Sequence, residues 1–135
     1  MQFEYPTHLD LARIPTPIEK LARLSKHLEG PQILIKRDDL TGVALSGNKV
    51  RKLEFLLADA LGQGCDCVIT CGGPQSNHAR ATAVAAAKLG LKSHLVLRNS
   101  VAAQMEGNAF LSRLVGAEVT NVSAEQYMRI DEVMQ

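Results

Sequence analysis

From residue 49 to residue 122 the chain alternates short apolar runs with longer amphipathic ones, and this pattern constrains the fold more than any other feature. Helix periodicity runs from Lys49 to about Gly62, where Gly62-Gln63-Gly64 ends it. Cys67–Cys71 reads as a strand, Ser76–Leu89 as a helix closed by Gly90, and Ser93–Leu97 as a second strand. Gln104–Val115 follows as a helix with Leu111, Leu114 and Val115 on its inner face. Glu118–Val122 is a third strand, and a last helix starts at Ser123 or Ala124 and runs toward Gln135. Strands alternating with helices at this pitch predict βαβ units. The expected fold is α/β, a parallel sheet with helices on both faces in three layers.

The first helix carries an anomaly. In SGNKVRKLEFLLADAL (Ser46–Leu61), Val50, Leu53, Leu56, Leu57, Ala60 and Leu61 fall within an arc of roughly 140° at about 100° per residue. Lys49 lies inside that arc and Lys52 at its edge, whereas Arg51 and Glu54 point elsewhere. Ser46, Gly47 and Asn48 supply turn and cap chemistry, with Asn48 the expected N-cap. A lysine in the first turn of an apolar face meets three effects that oppose its charge: desolvation, the positive end of the helix dipole and the neighbouring Lys52. A neutral amine of this kind is what Schiff-base chemistry uses. The competing reading is a lysine that snorkels to solvent over the helix end.

A second stretch, CGGPQSNHAR (Cys71–Arg80), leaves a strand and opens a helix. Ligands of open α/β sheets bind at the carboxyl ends of strands, which is where this loop falls. Gly72 and Gly73 allow close backbone approach, and Gln75, Ser76 and Asn77 offer amide and hydroxyl groups. The free N–H groups of the helix start favour a carboxylate or phosphate. The plainer reading is a helix cap, with the glycines making the turn and Ser76 the N-cap. The stretch is not G-x-G-x-x-G, so it does not read as a dinucleotide site. A masked lysine amine and an anion-seeking loop on one parallel sheet fit amino-acid chemistry on pyridoxal phosphate.

The first 48 residues are looser. Thr16 and Pro17 predict a helix start, Gly30 its end, and Leu21, Leu24 and Leu28 its inner face. QILIKR (32–37) reads as a strand with Ile33, Leu34 and Ile35 buried, followed by a solvated acidic turn at Asp38-Asp39. Cys65, Cys67 and Cys71 are an odd set without a fourth ligand at zinc-site spacing, so they read as small core residues and no metal is expected. Apolar content of 46%, charged content of 21% and a net charge of +1 fit one soluble domain. They argue against nucleic-acid and membrane partners. The start, MQFEYPTHLD, has no signal-peptide or transit pattern, so a cytoplasmic location is expected. Val133-Met134-Gln135 has no helix-ending signal, which predicts a chain cut in mid-pattern.

SGNKVRKLEFLLADAL together with DCVITCGGPQSNHARATAVAAAKLGL closely resembles the D-cysteine desulfhydrase and 1-aminocyclopropane-1-carboxylate deaminase family. IPTPIEKLARLSKHLEGPQILIKRDDLTG fits the start of that family, and the resemblance covers essentially the whole chain. It implies the N-terminal part of a two-domain, fold type II pyridoxal-phosphate enzyme. Residues 1–48 would begin the large cofactor domain and 49–135 would form the small α/β domain. It also implies pyridoxal 5'-phosphate as cofactor, a small amino acid as substrate and a homodimeric parent. Lys49 would be the imine-forming lysine and move the substrate's proton. Asn48 and Lys52 would help hold the cofactor, Lys52 at its phosphate, and Asn77 would meet the ring oxygen. Gln75, Ser76 and Asn77 would face the substrate, with Ser76 catalytic in the deaminase branch. His78 is closer to the desulfhydrase side. Three readings stay open: D-cysteine desulfhydrase, the deaminase, and an inert truncated chain. Pro74 departs from the aliphatic residue usual in GG-x-QSN, and members are more than twice this length.

Overall fold

The computed structural model describes residues 4–42, 44–98 and 106–134. Two sheets organise it. β1 (Ile18–Lys20) and β2 (Leu34–Lys36) form an antiparallel ribbon around α1 (Ala22–His27). After it come α2 (Lys49–Gly62), β3 (Cys67–Gly72), α3 (Asn77–Leu89), β4 (Lys92–Arg98), α4 (Gly107–Leu114) and β5 (Glu118–Val122). The chain then makes two single turns of helix, α5 (Ala124–Tyr127) and α6 (Ile130–Val133). β3, β4 and β5 are parallel neighbours in chain order, with Val68 opposite Ser93 and Leu95 opposite Val119.

Alternation along β4 sets the layers. Leu95 and Leu97 face α3 and cluster with Ala79, Ala83 and Ala117. A second cluster joins Val50, Leu53 and Leu57 of α2 to Ala81 and Ala85 of α3, with Leu11 and Leu45 from the preceding segment. The alanine-rich α3 therefore lies between α2 and the sheet strands at short range, because small side chains let neighbours approach. On the opposite face Val96 and Val122 are buried while Ile69 is 54% exposed. There the Arg98 guanidinium stands 5.7 Å from the centre of the Tyr127 ring of α5. Helices thus flank the sheet on both faces, unequally.

The structure departs from sequence expectation in several places. Thr16-Pro17 does not start a helix. Residues 18–20 pair with β2 instead, α1 begins only at Ala22, and it ends before Gly30 at the cap residue Leu28. The Ile-Leu-Ile run of β2 is not buried, with Leu34 54% exposed, because neither apolar cluster reaches this ribbon. On α2, Leu56 and Leu61 are exposed and Glu54 is buried. On α4, Leu111 and Leu114 are exposed, whereas Ala109 and Ser112 are buried. The expected start of that helix at Gln104 lies outside the described residues. The expected single last helix is broken at Met128-Arg129 into α5 and α6. Cys65 is exposed and Cys67 and Cys71 are half-buried, so the three are not core residues. Gly90, with φ of 74°, closes α3 in the left-handed conformation expected of it.

Candidate active site

The two stretches singled out above are the starts of α2 and α3. Lys49 is the first residue of α2 and is half-buried, next to fully buried Val50. Lys52 lies one turn on and is exposed. Among the described residues neither lysine has a hydrogen-bond or ion-pair partner. Asn48 takes the N-cap position expected of it but does not cap with its side chain. It has helical angles, φ −67° and ψ −13°, and its side chain makes no capping bond. The first N–H groups of α2 therefore lack a side-chain acceptor among the described residues, and two lysine side chains stand beside them. Positive potential is left unbalanced here.

The loop before Lys49 is firmly held. The buried Thr41 hydroxyl lies 3.0–3.2 Å from the carbonyl oxygens of Asp38, Leu45 and Gly47. Gly47 turns the chain at φ of 99°, a conformation that favours glycine. Arg51 donates through Nε and Nη2 to both carboxylate oxygens of Asp38, at 2.8 and 2.9 Å, and Thr16 donates to the same carboxylate. The Arg51 and Thr16 hydrogen bonds hold the Asp38 carboxyl down at about 2. Asp38 is thus not part of a solvated turn but an anchor for the α2 start. Glu54, one turn along α2, accepts from the backbone N–H groups of Leu11 and Ala12 at 3.0 and 2.9 Å, which accounts for its burial.

The start of α3 is built differently. Gly73 to Ser76 is a tight turn closed by the Ser76 N–H on the Gly73 carbonyl at 3.0 Å. Pro74 takes its second position, where a fixed φ suits the turn, so the departure from the usual aliphatic residue is accommodated. Gly72 is required by packing: a Cβ there would lie 2.7 Å from the Ser76 side chain. Ser76 caps α3, its Oγ accepting from the Ala79 N–H at 3.2 Å.

Gln75 and Asn77 are tied to α4. The Gln75 amide donates to the Glu106 carbonyl and accepts from the Asn108 N–H, at 3.1 and 2.8 Å. Asn108 Nδ2 donates to the Gln75 carbonyl and to Asn77 Oδ1, both at 2.9 Å. Arg80, 4% exposed, donates to the carbonyl oxygens of Ala44 and Ser46 and to Asn77 Oδ1. It thereby joins the loop before Lys49 to the start of α3. His78 lies near both lysines. Burial first, then the charges of Lys49 and Lys52, push its imidazole below its ordinary range, and its Nδ1 is buried without a partner among the described residues.

Sequence reasoning singled out Lys49, Lys52, Gln75, Ser76 and Asn77, and the structure shows α3 packed against α2 so that the two starts are joined through Arg80. It read Arg80 as a residue of the helix proper that could be structural, and missed Asn108, Arg51 and Glu54 as organising residues. Their long-range partners lie 13 to 43 positions away in sequence. For Arg80 one signal existed: a cation at the start of the alanine-rich run ARATAVAAA, on a helix otherwise built to be buried.

The comparisons with known proteins agree with this geometry. The chain belongs to the family described as "Pyridoxal-phosphate dependent enzyme", which matches residues 9–135. It is 52% identical over 131 residues to the mitochondrial bifunctional D-cysteine desulfhydrase/1-aminocyclopropane-1-carboxylate deaminase of Arabidopsis thaliana, covering 93% of this chain and 32% of that one. It is 53% identical over 116 residues to a D-cysteine desulfhydrase of Serratia proteamaculans, covering 82% of this chain and 35% of the relative. The crystal structure of an ACC deaminase homologue superposes with a TM-score of 0.84 at 42% identity, over 95% of this chain and 40% of that one. The fold is therefore that of the fold type II pyridoxal-phosphate enzymes. The chain spans about a third of the length of these curated relatives.

The residues present fit such a cofactor. Two lysine side chains without partners among the described residues, beside an uncapped helix start, suit a phosphate and an aldehyde. Asn77 keeps an amide NH2 group that no described residue engages. Among the described residues no helix is long and apolar enough to cross a membrane.

Proposed function

We propose that this chain carries the lysine side of the active site of a pyridoxal-phosphate-dependent lyase that acts on a small amino acid, with D-cysteine, broken down to pyruvate, sulfide and ammonia, as the preferred substrate. The observation that carries the reading is Lys49: half-buried, without a partner among the described residues, at the start of an uncapped helix and beside Lys52. Bound pyridoxal phosphate supplies an aldehyde that an amine captures with loss of water, and a ring that accepts electrons from the substrate's α-carbon.

The chain's own groups have separate tasks. Lys49 would hold the cofactor, and its Nζ would accept and return the substrate's α-proton. Lys52 and the free N–H groups beside Asn48 bind phosphate by charge and hydrogen bonding. The Asn77 amide donates to the ring oxygen or to a substrate carboxylate. The Ser76 hydroxyl keeps its proton free to donate to that carboxylate, because Oγ accepts rather than donates in the cap. The side chain of Gln75 is engaged with α4, so its part at the substrate is to hold the loop's shape.

Residues 1–48 are proposed as the first piece of the large cofactor domain, and 49–135 as the small α/β domain. The exposed apolar side chains of the β1–β2 ribbon support this division, since Ile18, Leu34 and Ile35 are exposed and belong to neither apolar cluster. The free thiols of Cys65, Cys67 and Cys71 suit a cytoplasmic location, and a homodimeric parent completes the reading.

Two alternatives stand beside it. The deaminase reading is favoured by the named activities of the relatives and gives Ser76 a larger role in opening a ring that has no α-proton. A catalytically inert chain is favoured by its coverage of only about a third of those relatives. Incubation of the protein and cofactor with D-cysteine and with 1-aminocyclopropane-1-carboxylate separates all three. Sulfide release without ring opening supports the desulfhydrase, ring opening without sulfide supports the deaminase, and turnover of neither supports the inert chain.

A further inference from the structure

We infer that Arg80 and Asn108 are positioning residues that lock the Asn77 carboxamide in one orientation, with its oxygen held by these two donors and its NH2 group presented to the site. The inference rests on the cofactor reading for what that NH2 group meets, but not for the lock itself.

The orientation follows from the partners rather than from assigned hydrogens. Oxygen and nitrogen of an amide are distinguished by what surrounds them. Asn108 Nδ2 lies 2.9 Å from the Gln75 backbone carbonyl, which can only accept, so this atom of Asn108 must be the nitrogen. Its second hydrogen points to Asn77 at 2.9 Å. Arg80 Nη2, which can only donate, approaches the same Asn77 atom at 3.4 Å. Two donors converge on one atom, and that atom must be the oxygen. A flipped Asn77 would set its own NH2 group against both donors. The free end is therefore a donor, and the ligand group it meets is an acceptor: a phenolate-type ring oxygen or a carboxylate.

The same guanidinium extends the effect. Arg80 also donates to the Ala44 and Ser46 carbonyl oxygens, in the loop that delivers Lys49. Among the described residues it has no carboxylate partner, so a buried cation is satisfied largely by the two parts of the site it joins. One side chain thus registers the lysine's loop against the amide across 34 to 36 positions of sequence. Gly107 shows how closely α4 is fitted to this lock. A Cβ there would lie 2.5 Å from Gln75 Oε1, and its φ is 52°.

Asn108→Asp and Arg80→Lys test the lock at two levels. The first needs no cofactor: nitrogen-15 relaxation of the Asn77 side-chain amide in the labelled chain. A rigid Asn77 amide in the unaltered protein that becomes mobile in N108D and R80K, with the backbone spectrum otherwise retained, is the expected result. An Asn77 amide equally mobile in all three overturns the inference, as does one that stays rigid in both variants. The second level uses pyridoxal phosphate binding, followed by absorbance. N108D should weaken binding about tenfold, the scale of one hydrogen bond to a charged acceptor, and should have no further effect in an N77A background. Equal losses in both backgrounds overturn it. If the unaltered chain binds no cofactor while the relaxation result holds, the lock stands and the cofactor reading fails.

Discussion

The starts of α2 and α3 are joined through Arg80 but are finished in opposite ways. The α3 start is complete: Ser76 caps it, Gly73–Ser76 closes a tight turn, and Asn108 and Arg80 fix the amide beside it. The α2 start is left open. Asn48 does not cap, and Lys49 and Lys52 have no partners among the described residues. The difference teaches where binding energy is held in reserve. A satisfied helix end adds stability and positions a donor, whereas an unsatisfied one beside two cations stores an unmet demand for an anion. The open start is nevertheless rigid, because Arg51–Asp38, Thr41 and Glu54 brace the chain around it.

Substitutions that treat the two starts alike should give unlike results. The largest effect is expected at the finished one. Gly72→Val would place a side chain 2.7 Å from Ser76 and should lower stability by roughly 1–3 kcal/mol in denaturant unfolding. Next, Lys52→Gln at the open start should cost about tenfold in affinity for pyridoxal phosphate, read by titration at low salt, and leave the melting temperature nearly unchanged. The capping contrast is smaller. Ser76→Ala should cost about 1 kcal/mol, but Asn48→Ala less than about 0.5 kcal/mol, because only the serine makes a capping bond. Equal costs would remove the distinction between finished and open.

The smallest effect is electrostatic. The His78 imidazole sits below its ordinary range, so the unfolded chain binds its proton more readily than the folded one. Stability linked to His78 is therefore fully present above the ordinary histidine value of about 6.5 and declines as pH falls below it. Phosphate bound between the lysines should offset their charge and move His78 back toward its ordinary value, a shift visible in an NMR titration. A His78 titration indifferent to phosphate would place the anion elsewhere.

Much of this was legible in the sequence where a rule is local. The alternation after residue 49 gave the helices and parallel strands, and Gly90 and Ser76 acted as the stop and start that their chemistry implies. The candidate residues Lys49 and Asn77 stood out because each sits at an element boundary. Three kinds of feature were not legible. Thr16-Pro17 carries a helix-start signature, yet residues 18–20 pair with β2, a contact that no local rule reports. Ile33-Leu34-Ile35 announces burial, but burial needs a second surface, and neither apolar cluster reaches that strand. The braces Arg51–Asp38, Glu54–Leu11 and Arg80–Ser46 join distant positions, so their charged members read as surface residues until the fold brings their partners close.

The central claim is that the open start of α2 is reactive because of where Lys49 sits. The direct measurement is borohydride trapping of the chain with substoichiometric pyridoxal phosphate, followed by mass-spectrometric mapping of the labelled lysine. The account predicts label on Lys49, lost on Lys49→Ala and not transferred to Lys52. Label spread over the exposed lysines in proportion to their exposure, or concentrated on Lys52, would contradict it.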